Sequence, residues 1–229
     1  MTKNFQLQDL KGKLIVSCQA FPGEALYGSD MMCRMAIAAK DGGALGIRAN
    51  SPEDIAAITS VVDLPVIGLW KQNYSDSDVY ITPTFADVEK VVQAGASIVA
   101  MDATSRSRPN GETLEDIVKK VRSKYTRLLM ADISTIEEGI EAYKLGFDMV
   151  STTLSGYTPY SVQSEEPDFE LVANLAARLP IPVFAEGRIQ TPEQTRRLLE
   201  IGAFAVVIGG AITRPQAITQ RFVSKMNER

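Results

Sequence analysis

The chain has 229 residues, 45% of them hydrophobic, and a formal net charge of −4. The acidic balance argues against nucleic acid or an anionic membrane as a partner, and the apolar runs are too short to span a bilayer. The N-terminal residues lack the apolar core of a secretion signal, and two cysteines without metal-type spacing favour a reduced, cytoplasmic protein.

Short apolar runs of strand character alternate with helical stretches along the whole chain. Eight runs are predicted as strands: Leu14–Cys18, Ala44–Ala49, Val66–Trp70, Ser97–Asp102, Arg127–Asp132, Met149–Thr153, Val183–Glu186 and Ala203–Ile208. Most are continuously apolar, as is typical of parallel strands covered on both faces. Helices between them begin at Ser51-Pro52 and Thr191-Pro192, where an N-cap precedes proline in the first turn.

This alternation predicts an α/β protein, a single (β/α)8 TIM barrel with a short N-terminal helix. The length suits one such barrel, so we expect residues 1–229 to form a single domain. An open, doubly wound sheet is the alternative, but no G-x-G-x-x-G motif follows the first strand.

Polar residues end the predicted strands, where the active site of such a barrel lies. They are Gln19, Arg48, Lys71, Asp102, Asp132, Thr153, Glu186 and Gly209. The ends of the odd-numbered strands would form one inward layer of Gln19, Lys71, Asp132 and Glu186. Two residues earlier lie Ser17, Leu69, Met130 and Phe184, a mostly apolar layer. Each polar residue alone would be an ordinary rim residue, but the complete ring indicates a site above a packed core.

Lys71 and Glu186 end strands that lie opposite each other in an eight-stranded barrel. Strand spacing and tilt make such a barrel roughly 15 Å across, so the two side-chain tips would come close. This arrangement suits proton exchange at a carbon held between them. A purely structural ion pair between them is the alternative. The chain has no histidine, so proton transfer near neutral pH must use other groups.

The loops after the last two strands carry glycine and arginine, namely Gly187-Arg188 and Gly209-Gly210 followed by Arg214. Loops at these positions are the usual phosphate site of the fold. Glycine lets backbone N–H groups approach an anion, and the arginines could add charge-assisted hydrogen bonds. The alternative is an ordinary Gly-Gly turn. Two polar, tyrosine-containing loops, 71–84 and 155–158, could cover a sugar.

Short motifs over nearly the whole chain together resemble one family. They are Val16–Ala20, Gly46–Ala49, the strand ending in Lys71, Asp76–Thr84, Met101–Thr104, Ala131–Ser134, Thr152–Thr158, Ala185–Arg188 and Gly209–Pro215. This set resembles the N-acetylmannosamine-6-phosphate 2-epimerase family. The resemblance implies interconversion of N-acetylmannosamine-6-phosphate and N-acetylglucosamine-6-phosphate in sialic acid use, with no metal and no nucleotide cofactor.

The resemblance places the family's catalytic lysine on Lys71 and its catalytic glutamate on Glu186. Sugar-binding residues fall on Gln19, Arg48 and Asp132, and the phosphate site on the loops after strands 7 and 8. The full set of expected substrate-binding residues is Gln19, Arg48, Asp132, Thr153, Gly187, Arg188, Gly209, Gly210 and Arg214.

The chemistry of a 2-acetamido sugar agrees with this implication, because its C2 hydrogen is acidic only beside a carbonyl, which requires ring opening to the C1 aldehyde. Lys71 is expected to transfer the proton, with Glu186 as its partner. A lysine acts as a base near neutral pH only if its pKa is lowered, which burial and Arg48 could do. A Schiff-base aldolase with Lys71 as nucleophile and a non-catalytic sugar-phosphate sensor remain alternatives.

Carboxylates at the strand ends raise the question of a metal ion. Asp102, Asp132 and Glu186 could hold a hard cation, but Lys71 and Arg48 in the same ring would repel it, and we expect no metal. The expected partner is the phosphorylated N-acetylhexosamine substrate. A homodimer is compatible with the sequence, which does not determine the oligomeric state.

Overall fold

The computed structural model describes residues 5–228, and within them eight parallel strands close into a barrel. The strands are β1 (Leu14–Cys18), β2 (Gly46–Asn50), β3 (Val66–Leu69), β4 (Ile98–Asp102), β5 (Leu128–Asp132), β6 (Met149–Ser151), β7 (Val183–Glu186) and β8 (Ala205–Ile208). Each strand pairs in parallel with the next, and β8 pairs with β1 from Leu14↔Val206 onward. The predicted TIM barrel is confirmed.

Helices follow the strands, because a parallel strand pair requires a crossover connection. They are α1 (Ser29–Asp41), α2 (Pro52–Val61), α3 (Phe85–Gln93), α4 (Leu114–Lys124), α5 (Ile136–Leu145), α6 (Phe169–Arg178), α7 (Pro192–Glu200), α8 (Gly210–Thr213) and α9 (Pro215–Asn227). The predicted caps of α2 and α7 are confirmed. The Ser51 side chain accepts from the backbone N–H of Asp54, and Thr191 accepts from that of Gln194.

The apolar core lies in two layers, one between strands and helices and one inside the barrel. Leu69, Met130 and Phe184 belong to the inner layer and are fully buried, as the alternation of side chains along the strands predicts. A 3₁₀ turn over Leu7–Leu10 provides the predicted N-terminal helix, and Leu10 joins the same inner cluster. The inside of the barrel is therefore filled with side chains beneath the site.

The carboxyl ends of all eight strands meet at one rim, so the loops that follow them surround a common space. Two predicted strands end earlier than expected, at Leu69 and at Ser151. Lys71 and Thr153 consequently lie beyond the regular ladder, where other contacts must hold them. No helix within residues 5–228 has the length and apolar character that a membrane crossing requires.

Candidate active site

A cavity of about 400 Å³ opens at the carboxyl ends of the strands. Its walls include ten of the eleven residues expected from the sequence: Gln19, Arg48, Lys71, Thr153, Glu186, Gly187, Arg188, Gly209, Gly210 and Arg214. The other expected residue, Asp132, is fully buried behind them. The fold thus brings together residues from six different strand ends.

Arg48 and Asp132 form a buried ion pair at the floor of this cavity. Arg48 Nη2 lies 2.6 Å from Asp132 Oδ2, and Nη1 lies 3.2 Å from Oδ1. A buried charge requires such pairing. Burial opposes the Arg48 charge, but Asp132 and Glu186 outweigh that effect and raise the pKa of Arg48. Asp132 therefore orients Arg48, and its predicted contact with substrate stays a prediction.

Glu186 lies at the end of β7, and a single carboxylate oxygen makes its protein contacts. Glu186 Oε2 accepts from the hydroxyl of Thr153 at 3.0 Å and from that of Ser151 at 3.4 Å. Arg48 Nη1 lies 3.2 Å from the same oxygen. Burial raises the pKa of Glu186, and the Arg48 cation opposes that rise. Within residues 5–228 no group donates a hydrogen bond to Oε1 of Glu186, which leaves this oxygen for a substrate.

Lys71 lies two residues beyond the end of β3, in the wall of the cavity. Burial and the nearby Arg48 cation lower the pKa of Lys71 to about 8, as a lysine that acts as a base near neutral pH requires. Its Nζ lies 4.9 Å from the centre of the Phe21 ring. Among the described residues Glu186 forms its ion pair with Arg48, and Lys71 forms none. The alternative of a structural Lys71–Glu186 ion pair is therefore not observed.

The glycine-rich loops after β7 and β8 form one side of the cavity. Gly187 has φ 109°, a conformation open to glycine but rarely to other residues. Gly209 precedes the short helix α8, and the Thr213 hydroxyl of that helix donates to the Ser17 carbonyl at 2.9 Å. Arg214 follows, with its guanidinium 3.4 Å from Glu24. Backbone N–H groups and one cation thus meet at this edge, as the phosphate prediction requires.

Arg188 lines the same cavity but bonds largely to the protein. Its Nε donates to the Glu166 carbonyl at 2.8 Å, its Nη1 to the Ser155 carbonyl, and its Nη2 to the Ser155 hydroxyl at 3.4 Å. Its φ of 57° is unusual for a residue other than glycine. Through these contacts Arg188 links the loop after β7 to the loop after β6. Its predicted phosphate contact stays a prediction.

Asp102, a member of the strand-end ring, is fully buried and does not line the cavity. Its carboxylate pairs with Arg106 at 2.6 Å and accepts from the Thr104 hydroxyl at 2.7 Å. Asp102 therefore organises the loop after β4. Within residues 5–228 no cluster of three or more His, Cys, Asp or Glu side chains has a metal-binding arrangement.

Three aromatic side chains in the cavity wall extend the predicted site: Phe21, Tyr80 and Tyr157. Tyr80 comes from the loop that was expected to cover a sugar, and burial raises its pKa to about 12, so its hydroxyl stays protonated. Tyr157 from the second such loop also lines the cavity. Phe21 lies against both Lys71 and Arg214. A single aromatic residue after a strand carries no functional signal in the sequence, so Phe21 was not predicted.

The chain is similar in sequence to a family of known proteins. The family model NanE, described as "Putative N-acetylmannosamine-6-phosphate epimerase", matches residues 32–228. The chain belongs to this epimerase family. A relative from Clostridium perfringens strain 13, described as "Putative N-acetylmannosamine-6-phosphate 2-epimerase", is 57% identical over 216 residues, covering 94% of this chain and 97% of the relative. One from Lactiplantibacillus plantarum is 50% identical over 227 residues, covering 98% and 100%.

A solved structure from the family has nearly the same fold. The N-acetylmannosamine-6-phosphate 2-epimerase from Clostridium perfringens superposes with a TM-score of 0.95 at 54% identity, covering 97% of each chain. A thiamine phosphate pyrophosphorylase from Pyrococcus furiosus superposes with a TM-score of 0.62 at 16% identity, covering 97% of this chain and 100% of the other. That likeness concerns the barrel alone, whereas the epimerase family match extends to sequence.

Proposed function

We propose that this protein interconverts N-acetylmannosamine-6-phosphate and N-acetylglucosamine-6-phosphate, the reaction of an N-acylglucosamine-6-phosphate 2-epimerase in sialic acid and amino sugar catabolism. One observation carries the proposal. A lysine with a lowered pKa, Lys71, shares one cavity with Glu186 and with the glycine loops after β7 and β8. Family membership supports the same activity.

The reaction begins from the open-chain sugar, because only the C1 aldehyde acidifies the C2 hydrogen. Neutral Lys71 takes the C2 proton, the C2–H bond breaks, and its electron pair delocalises onto the C1 oxygen as an enolate. The enolate electron pair then takes a proton on the opposite face of C2, from protonated Glu186 or from water, the C1 aldehyde re-forms, and Lys71 returns its proton to solvent. Glu186 is the partner of Lys71, either at the C1 oxygen or on that opposite face. The Arg48 cation beside both residues stabilises negative charge that develops there.

Substrate binding is divided between the two sides of the cavity. The backbone N–H groups of Gly187, Gly209 and Gly210, together with Arg214, hold the phosphate. Gln19, Arg48 and Thr153 contact the sugar hydroxyls and carbonyl. The Gln19 amide donates to the Ser17 hydroxyl at 2.9 Å, and this bond sets the direction of its carbonyl. The reaction as proposed uses neither a metal ion nor a nucleotide cofactor.

A Schiff-base aldolase is the second candidate, because a lysine with a lowered pKa is also a better nucleophile. Borohydride added with substrate would reduce an imine and attach the sugar to Lys71, whereas an epimerase would remain unmodified. Proton NMR of N-acetylmannosamine-6-phosphate with the protein tests the main proposal. The expected result is the C2 epimer as the only product. Binding without any product would instead indicate a sensor.

Three expectations concern the whole protein and stay proposals: one domain over residues 1–229, a cytoplasmic location and a homodimer. The exposed apolar side chains of α9 support the homodimer, since Phe222 is 70% and Met226 83% exposed in the isolated chain. Exposed apolar surface of this kind is a common mark of an interface. Light scattering on the purified protein distinguishes a monomer of 25.0 kDa from a dimer of twice that mass.

A further inference from the structure

The backbone at Lys71 lies outside the regular strand ladder, between β2 and the segment that contains Ile81. β3 ends at Leu69, and Lys71 forms an isolated antiparallel bridge with Ile81. The Lys71 ammonium has no hydrogen bond or ion pair within residues 5–228, and its Nζ lies 4.9 Å from the centre of the Phe21 ring. The location of its Nζ therefore depends on how its own backbone is held.

On the β2 side, a side chain replaces a backbone acceptor. The Ser51 N–H donates to the Leu69 carbonyl at 3.0 Å, which continues the parallel ladder. In a regular ladder the Lys71 N–H would then bond to the Ser51 carbonyl. That carbonyl instead accepts from Ile55 as the first bond of α2. Asn50 Oδ1 takes its place and accepts from the Lys71 N–H at 2.8 Å.

On the other side, Thr82 forms hydrogen bonds with both the N–H and the carbonyl of Trp70, the residue before Lys71. The Thr82 N–H donates to the Trp70 carbonyl at 2.8 Å, and Thr82 Oγ1 accepts from the Trp70 N–H at 3.0 Å. The same hydroxyl donates to the Ala100 carbonyl at 2.7 Å. Thr82 is fully buried, so its hydroxyl is the partner of two polar groups that water does not reach.

Backbone strain is located beside the same residue. Ser51 has φ 77° and Thr82 has φ 46°. Positive φ values are unfavourable for any residue that has a Cβ atom, and most of all for a β-branched residue such as threonine. At Ser51 the chain leaves β2 and turns away from Lys71, and Thr82 forms hydrogen bonds with the backbone of Trp70. The fold thus tolerates unfavourable conformations at the two points that hold the lysine segment.

We propose that Asn50 and Thr82 are positioning residues that hold the Lys71 segment so that its amine reaches the reacting carbon. The proposal rests on the proposed function only in taking Lys71 as the proton-transfer group. Neither side chain needs to contact substrate, because each acts on the backbone of residues 70 and 71. The Asn50 and Thr82 side chains thus provide the hydrogen bonds that a neighbouring strand would provide if β3 continued.

The kinetic test compares Asn50→Ala and Thr82→Val with a matched control. Asp148→Ala also removes a side-chain acceptor from a strand N–H, since Asp148 Oδ2 accepts from the Leu129 N–H at 2.7 Å, and in addition it breaks the Asp148–Arg122 ion pair. That bond lies at the opposite end of the barrel. We expect kcat to fall by about 10-fold to 100-fold in the two test variants, with KM changed less than threefold. The control should keep its kcat even if its melting temperature falls.

Conservative variants separate the hydrogen bond from general destabilisation. Asn50→Asp and Thr82→Ser keep the acceptor, and each should recover most of the lost kcat at a pH where Lys71 is neutral. Activity of Asn50→Asp as low as that of Asn50→Ala would overturn the role of Asn50. An unchanged kcat in Asn50→Ala, or an equal loss in Asp148→Ala, would also overturn the proposal. Asn50 is only partly buried, so its variants test the idea even if Thr82→Val fails to fold.

A second readout needs no substrate. The pH dependence of Lys71 acetylation by acetic anhydride, followed by peptide mass spectrometry, reports the pKa of its amine. The charged groups that act on it are Arg48, Glu186, Asp132 and Arg214, and the substitutions change none of them. A loosened segment should expose the amine and move the midpoint upward in Asn50→Ala, but not in Asp148→Ala. An unmoved midpoint in Asn50→Ala would refute positioning, whereas a wild-type protein that does not epimerise would refute only the proposed function.

Discussion

Arg48 and Asp132 form a bidentate ion pair that is completely removed from solvent beneath the candidate active site, with Nη2 and Oδ2 2.6 Å apart. The pair holds the guanidinium so that its other terminal nitrogen lies 3.2 Å from Glu186. The same cation lowers the pKa of Lys71. The buried Arg48–Asp132 pair therefore acts on both candidate catalytic residues, although Lys71 and Glu186 form no ion pair with each other.

The first prediction concerns the pH dependence of kcat/KM. Lys71 accepts a proton only when neutral, so activity should rise with pH and level off above about 8, the pKa of the buried amine. An ordinary lysine would place this rise near 10.5. Initial rates measured from about pH 7 upward avoid the titration of the substrate phosphate. A profile that still climbs steeply at pH 10 would contradict the assignment of Lys71 as the base.

The second prediction is that Lys71→Ala and Glu186→Ala each reduce kcat by about 10² to 10⁴ while binding of the phosphate largely survives. Both side chains lie beside the expected position of the reacting carbon, whereas the phosphate is expected to bind at the separate loops after β7 and β8. Lys90→Ala is a matched control, because Lys90 lies over the Trp70 ring rather than in the cavity wall. If Lys71→Ala kept more than about a tenth of the wild-type kcat, Lys71 would not be the proton-transfer group.

The third prediction separates the two arginines beside the phosphate loops. Arg214→Ala should raise KM and weaken inhibition by inorganic phosphate about 10-fold to 100-fold, the value of one charge-assisted hydrogen bond. Arg188→Ala should change phosphate inhibition much less, because Arg188 donates to the carbonyls of Ser155 and Glu166. Hydrogen exchange should instead become faster across residues 155–166. Equal loss of phosphate inhibition in both variants would show that Arg188 is a phosphate ligand.

The fourth prediction uses Gly156 as a partner of Arg188. A Cβ at Gly156 would overlap the Arg188 guanidinium, and its φ of 80° already favours glycine. Gly156→Ala should therefore displace Arg188 and reproduce the faster hydrogen exchange of Arg188→Ala. The double variant should be less impaired than the sum of the single effects, because the overlap is gone. Strictly additive melting temperatures would argue against this contact.

The fifth prediction is that turnover in heavy water places deuterium at C2 of the product, since the proposed mechanism breaks the C2–H bond. Loss of the C2 proton signal in the NMR spectrum is the measurement. The same reaction run with EDTA should proceed at an unchanged rate. Retention of the C2 proton would point to a shielded single-base transfer or to transient oxidation. Activity that EDTA abolished and magnesium or manganese restored would overturn the metal-free mechanism.

The sequence by itself determined the barrel and most of the site. Eight continuous apolar runs separated by capped helices leave few arrangements that bury both faces of each strand. Parallel strands all end at one rim, so those ends together with the glycine-rich loops after the last two strands named ten of the residues that line the cavity. Lys71 and Glu186 were found in this way because strand order fixes which ends face each other.

Only the tertiary structure decided which of these residues contact one another. Asp102 and Asp132 both end a strand, yet Asp102 pairs with Arg106 and Asp132 with Arg48. Arg188, expected at a phosphate, donates to the Ser155 and Glu166 carbonyls of the loop after β6, contacts that the sequence did not predict, and its phosphate contact stays a prediction. Such pairings depend on side-chain direction and on loops distant along the chain, and the periodicity of a sequence carries neither. The local sequence predicts that α2 begins after Ser51, but not the φ of 77° at Ser51 or the bond from the Lys71 N–H to Asn50 that accompanies this turn.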